Sequence, residues 1–232
     1  MMMEIFSKRL LLAVQDICPV KKGEVIFEKN VAGMYSVDIP VDGLYEITAV
    51  GGGGGCGQMA LGGVQYTISV SASGGSGAVV HGVFKVSAGT LSVIVGALGK
   101  SATIATSGTA ASADGGATSV GLLCSVGGGG RGKAGWGNPV VQQGGAAGVV
   151  NSYDKNALVS STLISNGNAG TFNRWYTGNR DGTVSTSIVQ SPCPPHGSGS
   201  AGSATTRYSG GAGFSSTPGT AGYVKISYFG KA

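Results

Sequence analysis

The chain has 232 residues, 41% of them apolar and only 11% charged, with a formal net charge of +5. This balance excludes ordinary disorder, which couples low hydrophobicity to high charge. Forty-five glycines against seven prolines, without a Gly-X-Y period, exclude collagen and leave a folded, glycine-rich, β or extended protein of one large domain or two small ones.

Residues 3–16 read as a short amphipathic helix or an arm. Lys8-Arg9 precede Leu10 to Val14, an apolar run too short for a signal peptide. No stretch approaches the roughly 18 apolar residues of a membrane span. Residues 1–23 are expected to dock on a partner protein or to cover the end of this chain's own core.

Residues 24–50 alternate. Val25 and Phe27, then Tyr35, Val37 and Ile39, then Tyr45, Ile47 and Ala49 each mark one face of a strand. Asn30 to Gly33 and Pro40 to Gly43 are the turns. Gly82 to Val86 and Leu91 to Val95, joined by Ser87-Ala88-Gly89, read as a second hairpin. Residues 117–126 read as one more strand, and Gly222 to Phe229 as the last. The expectation is an all-β fold: an antiparallel β-sandwich, jelly-roll or TNF-like, over residues 24–232.

Forty-two of the glycines follow residue 50. Gly51, Gly52, Gly53, Gly54 and Gly55 come straight out of the strand ending at Val50. Gly127, Gly128, Gly129 and Gly130 follow Leu122 to Val126, and further glycine-rich segments lie after Val95, at 132–148 and at 197–222. Glycine loses the most backbone entropy on folding, so these tracts need a partner if they are ordered. Flexible linkers are the alternative, but the tracts abut strands rather than joining separate domains. Bare backbones can approach closely, so several tracts can lie side by side as polyproline II helices and pair N–H with C=O. A glycine-rich bundle inserted in the sandwich is the prediction. Residues 149–196 differ from both parts and read as long loops with local turns.

Several chemistries are disfavoured. After residue 50 three acids face ten bases, but the bases are scattered singly rather than clustered with aromatics, which argues against nucleic acid. Cys18, Cys56, Cys124 and Cys193 form no CxxC pair, and His81 and His196 have no zinc spacing, so no metal or cofactor is expected; one disulfide stays open. Gly52-x-Gly54-x-x-Gly57 fits a dinucleotide fingerprint, but no acid follows until Asp114. Val95 to Ser101 resembles a phosphate loop, with Ile94 where its first glycine belongs. Asp114, Asp154 and Asp181 are isolated, and a nucleophile would have only two histidines to serve it. The chain is read as no enzyme. The absence of an Asn-x-Ser/Thr sequon disfavours a eukaryotic glycoprotein.

The ordered set carries a resemblance: Tyr45 to Val50 into Gly51–Gly55, Gly89-x-Leu91-x-Val93-x-Val95-Gly96-x-x-Gly99, Gly115 to Val120, Val126 to Arg131, and Gly219-x-x-Gly222-Tyr223-Val224-x-Ile226. It is similar to the glycine-rich domain of bacteriophage tail-fibre and virion proteins. It also resembles the extracellular glycine-rich region of anaplastic lymphoma kinase. Both likenesses imply a β-sandwich with inserted polyproline II helices, and a binding role for the exposed loops. The chain shows no kinase domain and no span, so the viral likeness is preferred. It implies a particle-surface protein contacting other virion proteins through residues 1–23 and a bacterial receptor, protein or glycan, through its loops. The residues suited to that contact are Trp136, Tyr153, Phe172, Arg174, Trp175, Tyr176, Arg180 and Tyr208, because aromatic faces beside guanidiniums fit sugars or protein loops. The alternative is a purely structural decoration or joining protein. A homo-oligomer stays open, with no heptad repeat to mark one.

Overall fold

The structure is a computed structural model and describes residues 20–62, 67–101, 108–110, 112–133, 140–171, 173–175, 182–185, 188–206 and 213–232. The expected N-terminal helix or arm falls almost wholly outside these residues. In chain order the strands are β1 (Val25–Lys29), β2 (Gly33–Ile39), β3 (Gly43–Val50), β4 (Gly57–Gly62), β5 (Thr67–Ala72), β6 (Val79–Val86), β7 (Gly89–Val95), β8 (Gly108–Ala110) and β9 (Thr118–Val120). They continue as β10 (Cys124–Val126), β11 (Val140–Gln142), β12 (Val150–Tyr153), β13 (Leu158–Ser165), β14 (Asn173–Trp175), β15 (Gly182–Ser185), β16 (Ala201–Thr206), β17 (Gly213–Thr217) and β18 (Tyr223–Gly230).

Two five-stranded antiparallel sheets, β1-β18-β3-β6-β13 and β12-β10-β9-β7-β2, face each other as a β-sandwich. Alternation sets the inner faces. Tyr45, Ile47 and Ala49 of β3 are fully buried, as are Phe84 of β6, Val93 of β7 and Val224 and Ile226 of β18. The rings of Tyr45 and Tyr228 meet edge-on at 5.3 Å, and the Tyr45 hydroxyl donates to Val41 O at 2.8 Å, which satisfies its one polar atom. Each such side chain contributes about 1.5–3 kcal/mol through burial. Cys124 belongs to this core; burial pushes its thiol up to about 12, against the lowering effect of a backbone hydrogen bond at Val120. Cys124 and Cys193 are free thiols.

Three readings of the chain change. The expected hairpin of 82–86 with 91–95 is a crossover between sheets: β6 pairs with β3 and β13, whereas β7 pairs with β2 and β9. Its turn crosses the gap between the sheets, where Asp42 Oδ1 accepts from Ala88 N at 2.7 Å and Gly89 takes φ 135°. Residues 117–126 are two strands, β9 and β10, which reverse at Gly121 with φ 48°, a left-handed conformation that glycine adopts freely. The 149–196 segment read as loops contains strands β12, β13, β14 and β15. Two irregularities in the register of β13 against β6 break the alternation that would have marked it.

The glycine tracts leave and re-enter one end of this sandwich. Tracts 51–56, 96–101, 127–133, 166–171 and 197–200 run outward. Tracts 73–78, 112–117, 143–149 and 218–222 return. Their hydrogen bonds change partner with a period of three. Gly51 and Gly54 N donate to Ala78 and Gly75 O, Gly52 and Gly55 N to Gly116 and Ala113 O, and Gly53 N to Thr220 O. In the next tract, Ser73 and Ser76 N donate to Thr171 and Asn168 O, and Gly75 and Ala78 N to Gly130 and Gly127 O. Three residues per turn is the symmetry of a polyproline II helix, so each tract presents three rows of donors to three neighbours. Tract 51–56 sits at the centre. It donates to returning tracts 73–78, 112–117 and 218–222, and accepts from outgoing tracts 96–101, 127–133 and 197–200. At the 3.1 Å rise of such a helix its six residues reach about 19 Å from the sandwich.

Candidate functional site at the outer end of the bundle

Beyond the tracts the chain builds three small sheets, β5-β4-β8, β11-β14 and β15-β16-β17. Strand β5 lies against β16, β14 and β11, so the three sheets gather around it. Because each tract continues into one of these strands, the geometry of the bundle dictates their placement. Gly57 opens β4 directly after the central tract, Ala72 ends β5 directly before Ser73, and Gln142 ends β11 before Gln143.

Two of the residues chosen from sequence lie in this assembly. Arg174 and Trp175 are in β14, opposite Val141 and Val140 of β11. Tyr153 is elsewhere: it is in β12 of the sandwich, opposite Cys124, and packs half-buried on the main core. Trp136, Phe172, Tyr176, Arg180 and Tyr208 lie outside the described residues.

A cationic rim lies where the tracts meet these sheets. Lys100, Arg131 and Lys133, at the outer ends of two outgoing tracts, are exposed. Asp114 Oδ1 accepts from Arg131 N at 2.7 Å, and Arg131 Nη1 donates to Ser112 O at 3.2 Å, which ties that side chain to the bundle wall. Lys133 N donates to Gln143 O at 2.7 Å, and beside this bond opens a groove of about 610 Å³. Lys133, Gln143, Gly144, Ala146 and Gly170 are among its lining residues, directly under β11 and β14. Sequence reasoning passed over this groove. The one available signal is spacing: Gln143, Ala146 and Val149 recur every third residue as exposed positions, marking the outer face of their tract.

The nucleotide-like glycines are committed to the lattice. Gly52, Gly54 and Gly55 N all donate to neighbouring tracts, Gly99 N donates to Gly53 O at 2.7 Å, and Ser101 Oγ accepts from Cys56 N at 3.2 Å. Among the described residues no group of three or more His, Cys, Asp or Glu is placed to hold a metal ion. No helix among them is long and apolar enough to cross a membrane.

A second polar cluster lies at the seam between sandwich and bundle. The His196 ring stacks on Tyr223 at 4.0 Å and 2°, and the Tyr223 hydroxyl donates to Glu28 Oε1 at 2.7 Å. Burial lowers the pKa of His196, with the Glu28 charge acting in the opposite sense. Burial, the Glu28 hydrogen bond and charge, and Cys193 raise that of Tyr223. This cluster fastens loop 191–197 to the first residue of β18, on the sandwich.

An antiparallel sandwich that carries a lattice of bare extended backbone, with strand-built sheets at its far end, defines a class of glycine-rich scaffold. The chain belongs to the family described as glycine-rich domain, whose model matches residues 29–230. No curated protein matches the sequence.

Proposed function

We propose that the chain is a non-enzymatic bacteriophage virion protein, a tail-fibre or tail-tip adhesin, and that its outer sheets contact a bacterial surface receptor. The observation that carries this reading is the three-residue hydrogen-bond period of the bundle. It makes a stiff stalk of glycine that holds three sheets about 19 Å from the sandwich. A stalk built at such entropic expense serves whatever stands on its end. That end carries Arg174 and Trp175 in one strand, with Lys100, Arg131 and Lys133 around its base. An indole suits a glycan ring, and the cationic residues suit an acidic group on the host cell. Residues 1–23 serve for docking on other virion proteins.

The experiment is binding of the purified chain to host cells. Trp175→Ala is expected to lower binding at least tenfold while the melting temperature stays within a few degrees of the parent. Unchanged binding removes β14 from the receptor site.

A further inference from the structure

The bundle has a margin, and the margin carries the groove beside Lys133. A polyproline II tract presents three rows of peptide groups, so a tract without a full ring of neighbours keeps a row unspent. Tract 143–149 is of that kind. Gly145 and Gly148 N donate to Ser73 and Ser76 O, and their carbonyls accept from Gly170 and Gly167 N. Gln143 and Ala146 O accept from Lys133 and Gly130 N. Among the described residues the N–H groups of Gly144 and Ala146 donate to nothing. The Lys133 ammonium and the Gln143 side-chain amide likewise have no hydrogen-bond or ion-pair partner among them.

These donors meet in one place, and none of the residues lining the groove is acidic. Its volume of about 610 Å³ lies within the roughly 300–1,000 Å³ of small-ligand pockets. Its floor is fixed by the lattice. An added Cβ at Gly144 would stand 2.0 Å from Gly170 O, and one at Gly170 would stand 2.2 Å from Ser73 O, so bare backbone is required there. Ala146 and Ala169 add two exposed methyl groups. Peptide planes, Cα–H groups and methyls thus make a firm bed, with an ammonium and an amide at its outer end. A bed formed in advance spares a ligand the cost of ordering its site. Only one cation belongs to it, because Arg131 is tied to Ser112 O of a different tract.

We propose that this groove binds an acidic sugar, a pyranose carrying a single carboxylate, as one unit of a surface glycan. The inference rests on the reading of the outer end as the receptor-contacting end, and it names the ligand of the groove there. The Lys133 ammonium donates to one carboxylate oxygen in a charge-assisted hydrogen bond, and the Gln143 amide donates to the other. The C–H face of the ring lies on Ala146 and Ala169. Ring hydroxyls accept from the unspent N–H groups of Gly144 and Ala146. A phosphate monoester carries about −1.5 to −2 charges, which one ammonium does not balance.

Nitrogen-15 NMR titration of the full chain tests this, with a melt to verify the fold of each variant. The probes are trigalacturonate, its neutral methyl ester, a sialic acid trimer and inorganic phosphate. The expected result is that at least one acidic trimer shifts the Gly144, Ala146 and Gly170 amides saturably in the millimolar range, and that the ester binds at least fivefold more weakly than trigalacturonate wherever the latter binds. Lys133→Gln lowers affinity for the acid at least fivefold with the melt unchanged. Ala146→Leu, which fills the groove, abolishes the shifts. Lys155→Gln, an exposed cation on the turn between β12 and β13, leaves them as they were. No groove shift with either acidic trimer overturns the inference, and so does equal binding of trigalacturonate and its ester, or an acid affinity indifferent to Lys133→Gln. Phosphate that shifts the same amides as tightly as the sugar overturns it too, since the groove then takes any anion. The titration involves no cell. A chain that binds the trimer but not host cells loses the adhesin reading alone, and one that adheres without groove shifts loses this inference alone.

Discussion

The sandwich and the bundle are both buried, by opposite means. In the sandwich, Tyr45, Ile47 and Phe84 are excluded from water by other side chains, and backbone pairing runs along the sheets. In the bundle, Gly51 to Gly55 are buried by backbone alone. The first gains about 25 cal/mol per Å² of apolar area removed from water. The second has almost no side-chain area to bury. It holds through hydrogen bonds worth about 0.5–1.5 kcal/mol each, with Cα–H···O contacts adding less. Such a lattice would hardly form from free tracts, because glycine is the most costly residue to order. The sandwich makes it affordable in entropy: the central tract leaves β3, which the sheets already hold, and the neighbouring returning tract enters β6, the strand paired with β3. The lesson is a difference in tolerance. A hydrophobic core absorbs a change of shape by repacking, whereas a lattice of touching backbones has nothing that can turn aside.

The largest expected effect follows directly. A Cβ added at Gly53 would sit 1.8 Å from Ser198 O, a backbone atom, in a tract enclosed by six others. Gly53→Ala is expected to destabilise by more than about 4 kcal/mol, beyond the usual range for overpacking, because no rotamer can relieve the clash. At Gly127 the nearest atom to an added Cβ is Val149 O at 3.1 Å, a gap that a few tenths of an ångström of movement can open. Gly127→Ala is expected to stay within about 1.5 kcal/mol. Urea unfolding of both variants measures the contrast. Equal losses would show that close approach is not what the glycines are for.

How much of this was legible beforehand divides along the same line. The sandwich strands with clean alternation, β2, β3 and β18, could be read from Tyr35-Val37-Ile39, Tyr45-Ile47-Ala49 and Val224-Ile226. The lattice was legible as a kind of structure, since five successive glycines after a strand need another backbone beside them. Its partners were not. That Gly52 meets Gly116, and Gly53 meets Thr220, depends on how the sheets bring distant segments to one end, and glycine carries no side-chain pattern to encode a register. The crossover after β6 was misread because a short turn between two apolar runs looks the same within one sheet or between two. Strand β13 was missed because Ser160, Ser161 and Thr162 interrupt its alternation where the bulges fall. Of the site, Arg174 and Trp175 could be picked by residue type, whereas the groove at Lys133 and Gln143 arises from three segments meeting and left only the spacing of three.

A second effect, smaller, locates the seam. Thr118 of β9 is fully buried; its Oγ1 donates to Val50 O at 2.7 Å and accepts from Gly96 N at 3.0 Å. One hydroxyl thus joins the last residue of β3 to the first residue of an outgoing tract. Thr118→Val keeps the shape and removes both bonds, stranding a buried N–H. The expected loss is about 2–3 kcal/mol. Hydrogen exchange sharpens the comparison: the Gly96 amide is expected to exchange faster while Tyr45 and Ile47 stay protected. If the sandwich amides accelerate equally, the two parts unfold as one unit and the seam carries no separate stability.

The smallest effect is one of pH, at the loop held against β18. His196 lies flat on Tyr223, and burial lowers its pKa below the ordinary 6.5, with Glu28 opposing. Between that lowered value and about 6.5 the unfolded chain binds the proton and the folded chain does not, so stability rises with pH across the window. The stabilisation is complete above about 6.5 and declines as the solution is acidified through it. His196→Gln removes the titration but leaves a planar group to rest on the ring. The expected result is that the loss of stability between pH 7.5 and pH 5.5 becomes smaller in the variant than in the parent. His81, 3.1 Å from Glu46 in the sandwich, is present in both chains, so the subtraction isolates His196. Proton NMR of the His196 ring gives the direct reading. A midpoint at or above 6.5 would mean that the attraction of Glu28 outweighs desolvation, and that acid tightens the seam instead of loosening it.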